Sequence, residues 1–308
     1  MSPPRLDHPT DRQKFKRPAT RLQQPRRGKR SISFFILVGP LALLALIGCA
    51  EKRVEIYIDQ LSSPQQKVRL NASRTLVQFG STSVAPLIER ASNGSDRLQY
   101  IAAQILGQIG DIRATPFLKD LLDHSNPDVR EQGVRALGQL DDPAQIPLLG
   151  TVIADDPDPT IRERAAWSLG NLRDTTAVPH LVLALDDSAL PVRREALIGL
   201  RFLWNKAAVA ATIAALDDRA EPIRFTAAQI LGHHRTAAAL APLLHALDDS
   251  SLGVRAESAR ALGLLGDTTA VKPLEHLLSR SATPEHPDHQ AARQALRQLT
   301  GLDYIVED

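Results

Sequence analysis

Three observations predict an all-α fold built from stacked repeats. The first is the stretch Val254–Asp267 (VRAESARALGLLGD), recognisable copies of which recur from residue 68 almost to the C-terminus. The second is the spacing inside each copy. Counting its valine as position 0, apolar or small residues fall at positions 0, 4, 7, 8 and 11, which form one stripe at about 100° per residue. The third is composition: 43% of residues are hydrophobic but only 4% aromatic, so the core must be made of Leu, Ala, Val and Ile, as in helices closely packed on small residues. One amphipathic helix cannot bury its stripe alone, so the copies must stack on each other.

The chain begins with a segment that does not belong to this pattern. Residues 1–30 carry ten Lys or Arg against Asp7 and Asp11, and since the whole chain has a formal charge of +2, the remainder sums to −6. Ser31–Ala50 (SISFFILVGPLALLALIGCA) carries no charge. A basic region followed by an apolar one is the layout of an export signal or membrane anchor. We therefore divide the chain into a basic n-region (1–30), an apolar signal or anchor (31–48), a short linker (49–52), a repeat body (53–300) and a tail (301–308). Cys49 is the only cysteine, so no intramolecular disulfide can brace the body. The run Leu46-Ile47-Gly48-Cys49 resembles the lipobox of bacterial lipoproteins, which implies lipidation at Cys49. An uncleaved transmembrane helix, or an incidental cysteine within one, are the alternatives, because the apolar run approaches the ~20 residues that span a bilayer. Either arrangement places the body on the extracytoplasmic side, tethered to a membrane.

Within the body, position 0 falls at Val68, Leu98, Val129, Ile161, Val192, Ile223, Val254 and, more weakly, Asp288, which makes eight copies. Position 1 is arginine in six of them, with Gln99 and His289 as exceptions, and position 8 is always leucine. Each copy reads as a long B helix. Between copies lies a shorter apolar segment with proline near its start, such as Thr115-Pro116-Phe117 or Ala241-Pro242-Leu243. Proline suits a first helical turn, whose N–H groups lack intrahelical partners, so these segments read as A helices. Acidic turns such as Leu185-Asp186-Asp187 lead from A to B. Gly110-Asp111 and Gly266-Asp267 end B helices, glycine supplying the left-handed cap, and His233-His234 read as the replacement for such a turn. The first A helix (around Val54 to Leu61), with Glu51, Lys52, Arg53, Glu55 and Asp59 in and beside it, and the Asp288-His289 variant of the box read as capping units.

The ~31-residue period, the V-R-x-x-A-x-x-A-L-G box and the L-G-D turn resemble HEAT-like repeats of the short, phycobilisome-lyase type. The resemblance covers about residues 53–300. It implies a right-handed α-solenoid with B helices on its concave side and a ladder in which Asp187, Asp218 and Asp249 pair with Arg193, Arg224, Arg255 or their neighbours.

The residues carry no nucleophile–base constellation and no Gly-rich phosphate loop. Glu285, His286 and His289 have H-x-x-H spacing without a full ligand set. The expectation is therefore a non-enzymatic chain with no cofactor, no metal and no small-molecule substrate. The −6 balance after residue 30 argues against a nucleic-acid partner. What varies is the face away from the core stripe. Position 6 reads Arg74, Gln104, Arg135, Trp167, Ile198, Gln229, Arg260 and Gln294, and position 10 of the fifth copy is Phe202. Trp167, Ile198 and Phe202, bordered by Arg135 and Arg164, form the candidate patch for a protein or peptide partner, since exposed aromatics rimmed by Arg have the composition of interface hot spots. The competing reading is structural. Gly199 stands early in the fifth copy and Arg201 takes its glycine position, so Phe202 and Trp204 would fill space beside a shifted helix. The function expected is a membrane-tethered, exported scaffold or adaptor; the alternative is a bilin-lyase-like or chaperone-type subunit acting on a partner protein.

Overall fold

The computed structural model describes residues 52–280, 285–302 and 304, and every regular element among them is helical. The apolar segment 31–48, Cys49 and most of the tail lie outside the described residues. Among the described residues, eight A–B helix pairs follow one another. The A helices are α1 (residues 52–60), α3 (Val84–Ser92), α5 (Thr115–Asp120), α7 (Ile146–Asp155), α9 (Val178–Ala184), α11 (Lys206–Ala214), α13 (Leu240–His245) and α15 (Val271–Arg280). The B helices are α2 (Gln66–Phe79), α4 (Asp96–Ile109), α6 (Pro127–Gln139), α8 (Pro159–Asn171), α10 (Leu190–Phe202), α12 (Glu221–His233), α14 (Leu252–Leu265) and α16 (Pro287–Thr300). Each B helix packs on the next, and each A helix from α3 onward packs on a B helix. This is an α-solenoid. The leucines at position 8 of all eight B helices are fully buried.

The small residues of the box have a packing reason. A Cβ placed on Gly170 would lie 2.8 Å from the Cα of Gly199, and one on Gly232 would lie 2.8 Å from the Cα of Ala261. Position 9 of one B helix thus meets position 7 of the next at backbone distance, which is why the box carries glycine at one and Ala, Ser or Gly at the other. Two junctions depart from this. Position 9 is Val77 in α2 and Arg201 in α10, and the facing position 7 is Ile105 in α4 and Ile230 in α12. The α2–α4 and α10–α12 pairs are correspondingly less closely packed than the other B–B pairs. At the second junction the core divides: one buried cluster runs from Val54 to Ala208 and another from Leu197 to Leu296, with Leu185 and Trp204 packed against both.

Turn geometry repeats as well. Position 12 has a positive φ, between 49° and 80°, at Gly80, Gly110, Asp141, Arg173, Arg235 and Gly266. The turn after α12 is therefore made at Arg235, not at His233-His234 as the sequence suggests; His233 ends the helix and His234 caps it. In the fifth unit Trp204 occupies position 12. After the turn, Asp111, Asp142, Asp174 and Asp267 each accept the N–H two residues on and so cap the 3-10 turn that leads into the next A helix.

The arginine ladder exists, in a different register from the one the resemblance implies. Asp187 pairs with Arg162 (2.7 Å), Asp218 with Arg193 (2.9 Å), Asp249 with Arg224 (2.6 Å), Asp156 with Arg130 (3.0 Å) and Asp288 with Arg255 (2.8 Å). Each arginine reaches forward to the turn of the following unit. Its other nitrogen donates to the carbonyl six residues back in its own turn, as Arg193 Nη1 does to Asp187 O at 2.8 Å. The guanidinium fork therefore ties two successive turns with one side chain. Burial pushes the Asp187 carboxyl up, but the Arg162 guanidinium and the Ala189 N–H hold it below the usual carboxylate range; Asp249 is lowered in the same way against Arg224 and the Ser251 N–H.

Candidate functional site

The residues at positions 6 and 10 of successive B helices share one face, and on it the candidate patch spans α6, α8 and α10. Trp167 is 38% exposed and Phe202 55% exposed, although both stand on helices whose opposite stripe is fully buried. Ile198 is half-buried and Arg135 exposed. Helices α8 and α10 meet at Gly170 and Gly199, so Trp167 and the neighbouring Ile198 flank the closest approach between them. The Arg164 guanidinium lies over the Trp167 ring at 5.6 Å, and the same side chain pairs with Glu131 on α6 at 3.3 Å. The structure thus brings Arg164 and Trp167 into direct contact and anchors that arginine across the helix junction. An exposed cation–π pair contributes about 0.5–1 kcal/mol.

The cation over Phe202 is Arg201, at 5.7 Å, a residue that the sequence reading used only as a break in the box. Around the patch the charges alternate: Arg194 lies 3.6 Å from Glu163. Burial pushes the Glu195 carboxyl up, the Glu163 carboxylate adds to this, and Arg194 and Arg164 pull the other way. Glu131 and Glu163 stand at position 2 and Glu195 at position 3. Reading those rows together with position 6 would have found them.

The two readings of the fifth-unit aromatics separate. Trp204 fills space: it is partly buried, packs against both core clusters and stacks on His234, with ring centroids 3.9 Å apart and planes 9° apart. The His234 Nε2 lies 3.1 Å from the Arg201 carbonyl oxygen. Burial lowers the His234 pKa in spite of that carbonyl, and His233 and Arg201 lower it further. Phe202, one turn from the same junction, points out of the core instead.

Elsewhere, His289 is buried, and burial lowers its pKa, with Arg293 adding to the effect. Among the described residues no three or more of His, Cys, Asp and Glu gather as a metal-binding group. None of the described helices is long and apolar enough to cross a membrane. Chemically, the patch offers stacking surface, cations and carboxylates, which is equipment for recognition.

Comparison with known proteins places this geometry in context. Residues 54–132, 115–201 and 209–297 match the family of HEAT repeats. A deoxyhypusine hydroxylase of Candida albicans is 28% identical over 118 residues, which is 35% of this chain and 37% of the relative. The match therefore spans little more than a third of that enzyme's length. Among solved structures, the YibA protein of Escherichia coli aligns with a TM-score of 0.55 at 20% identity, over 89% of this chain and 99% of that one; the likeness is one of fold. The complex of CpcE and CpcF of phycocyanin lyase from Nostoc aligns with a TM-score of 0.38 at 22% identity, over 80% of this chain and 94% of that one. The expectation of a non-enzymatic chain is corrected by the hydroxylase, a relative in sequence that is itself an enzyme. Because a solenoid builds sites from residues scattered over many units, the absence of a local catalytic motif did not license that expectation. With the family match covering well over half of the sequence, the chain belongs to the HEAT-repeat family, and it is a repeat scaffold.

Proposed function

We propose that this scaffold is exported, is tethered to a membrane through lipid on Cys49, and presents Trp167, Ile198 and Phe202, bordered by Arg135 and Arg164, to a protein or peptide partner. The observation that carries this reading is the exposure of Trp167 and Phe202 beneath guanidinium groups in a chain that has only two tryptophans and seven phenylalanines. Large aromatics left on a surface and flanked by Arg supply rigid contact area at little entropic cost. The tether is supported by the basic-then-apolar layout of residues 1–50 and by the single cysteine at its end.

The test is affinity capture of the membrane-extracted protein, comparing wild type with a Trp167→Ala, Phe202→Ala double variant. Loss of a specific partner at unchanged melting temperature is expected; retention of every partner would sink the binding surface. For the tether, Cys49→Ala is expected to release the protein from the membrane fraction. Unchanged association would assign the anchor to the apolar segment 31–48 itself.

The hydroxylase match supports a second reading, in which the scaffold also modifies the partner it holds. Incubating the captured partner with the wild-type chain and finding a covalent mass change would establish it, and an unaltered mass would dismiss it.

A further inference from the structure

A cleft of about 550 Å³ opens between the N-terminal turns of α4 and α6, and it is lined by Asp96, Tyr100, Asp128, Glu131 and Gln132 among others. That volume lies in the range of small-ligand sites. Two of the carboxylates have a local explanation, since Asp96 and Asp128 stand in first helical turns, where the helix dipole favours negative charge. Glu131 and Gln132 lie one turn further in; Glu131 pairs with Arg164 on α8, whereas Gln132 has no such reason to be there.

Gln132 is the informative residue. It occupies position 3 of its B helix, where Arg164, Glu195, Thr226 and Glu257 stand half-buried in later units, yet it is only 3% exposed. Its Nε2 is buried and has no hydrogen-bond partner. A buried amide donor left unpaired costs about 1–3 kcal/mol, so the protein bears an expense here that an acceptor entering the cleft would relieve. The other polar groups are partly engaged: Asp96 accepts from Asn126 Nδ2 at 2.9 Å, and Glu131 pairs with Arg164 at 3.3 Å. His124 Nε2 also lies 3.8 Å from Asp96, and the cation lining the cleft itself is Arg97, which is exposed. Tyr100, 37% exposed, offers an aromatic face beside them.

We propose that this cleft binds a basic side chain, Lys or Arg, of a peptide, with the cation between Asp96, Asp128 and Glu131 over the Tyr100 ring and a peptide carbonyl accepting from Gln132. A cation and an acceptor on the same ligand answer both features at once: the carboxylates need positive charge, and the unpaired amide needs a lone pair. A free anion would meet three carboxylates, and an apolar group would leave Gln132 unpaired. The site touches the border of the Trp167 surface only through the Glu131–Arg164 pair, and it uses neither aromatic ring.

The test is isothermal titration of the full-length protein, in detergent micelles at low salt, with the peptide acetyl-Gly-Ser-Lys-Arg-Lys-Ser-Gly-amide. Saturable one-to-one binding is expected. The Asp96→Asn, Asp128→Asn double variant should weaken it at least tenfold. Gln132→Leu should weaken it about fivefold while leaving the melting temperature unchanged or higher, because the unpaired donor is removed. Wild-type protein that shows no saturation, a double variant that binds like wild type, or equal binding of the same peptide with norleucine at its three basic positions would each overturn the proposal. The Trp167→Ala, Phe202→Ala variant should titrate like wild type, which separates failure of this site from failure of the partner surface.

Discussion

At the scale of single residues, Phe202 and Trp204 show how two aromatics only two positions apart take opposite roles. Phe202→Ala is expected to change stability by no more than about 0.5 kcal/mol, as an exposed side chain does, whereas Trp204→Ala removes a stacked, core-spanning ring and should cost about 2–3 kcal/mol. Urea unfolding of the two variants decides between these outcomes. His234 adds a pH dependence to the same junction. Its folded-state pKa lies below the ordinary histidine value because burial disfavours the cation. The unfolded chain therefore binds the proton first on acidification, and stability present above the unfolded pKa is lost as pH falls through the ordinary value toward the folded one. His289 shifts in the same direction and contributes alongside. A His234→Phe variant, which keeps a ring on Trp204, is expected to show a smaller drop in melting temperature between about pH 7.5 and 5.5 than wild type; an identical drop would remove His234 from the account. The candidate surface was legible at this scale wherever a residue's own chemistry declared it, as for Trp167. Arg201 was not, because only the fold shows which ring its guanidinium covers.

At the scale of elements, the arginine fork is the part most exposed to test. Arg193 is 4% exposed in its side chain, binds both oxygens of Asp218 at 2.9 and 3.1 Å, and donates to two carbonyls of its own turn. Removing one partner of a buried pair strands the other, so Arg193→Ala should cost about 3–5 kcal/mol. Arg193→Lys should recover only part of this, since an ammonium cannot fork. Arg69 donates to the carbonyls of Ser63 and Pro64, and the position 25 residues on, where later forks find an aspartate, is Gly94. Arg69→Ala should accordingly cost about 1 kcal/mol. Equal losses at the two arginines in thermal unfolding would contradict the ladder. The turns allow a gain as well: Arg173 is exposed and left-handed at φ 51°, a conformation that costs a side-chain-bearing residue about 1–2 kcal/mol. Arg173→Gly should therefore raise stability by about 0.5–1 kcal/mol after the chain-entropy cost of glycine.

At the scale of the whole repeat body, neighbouring units hold each other through close B–B contacts, and stability is a sum of units and junctions. The α10–α12 junction lacks the glycine-on-small-residue contact and is bridged by Trp204 and Leu185 between two core clusters. Trp204→Ala is expected to split thermal unfolding into two transitions, seen by calorimetry as separate peaks for the segments before and after α11. A single sharp peak in that variant would show that the junction is coupled by other contacts. Conversely, Gly170→Ala drives a methyl into the α8–α10 contact and should lower the melting temperature by overpacking worth about 1–3 kcal/mol, without dividing the transition.

The sequence by itself determined the repeat body, because a stripe recurring every 31 residues or so has only one economical way to be buried, and because proline, glycine and aspartate mark helix ends through local backbone chemistry. It also determined that the arginines are ties. Only the tertiary structure decided which aspartate each one reaches: the offset between stacked units places the following turn, 25 or so residues on, within the fork, while the aspartate six residues back offers its carbonyl instead. The same offset decided that no glycine stands at the α10–α12 junction, that Trp204 packs against both core clusters there, and that Phe202 is left on the surface. Local pattern dictates what each helix buries, but the distance between helices depends on pairs of residues that no single helix contains.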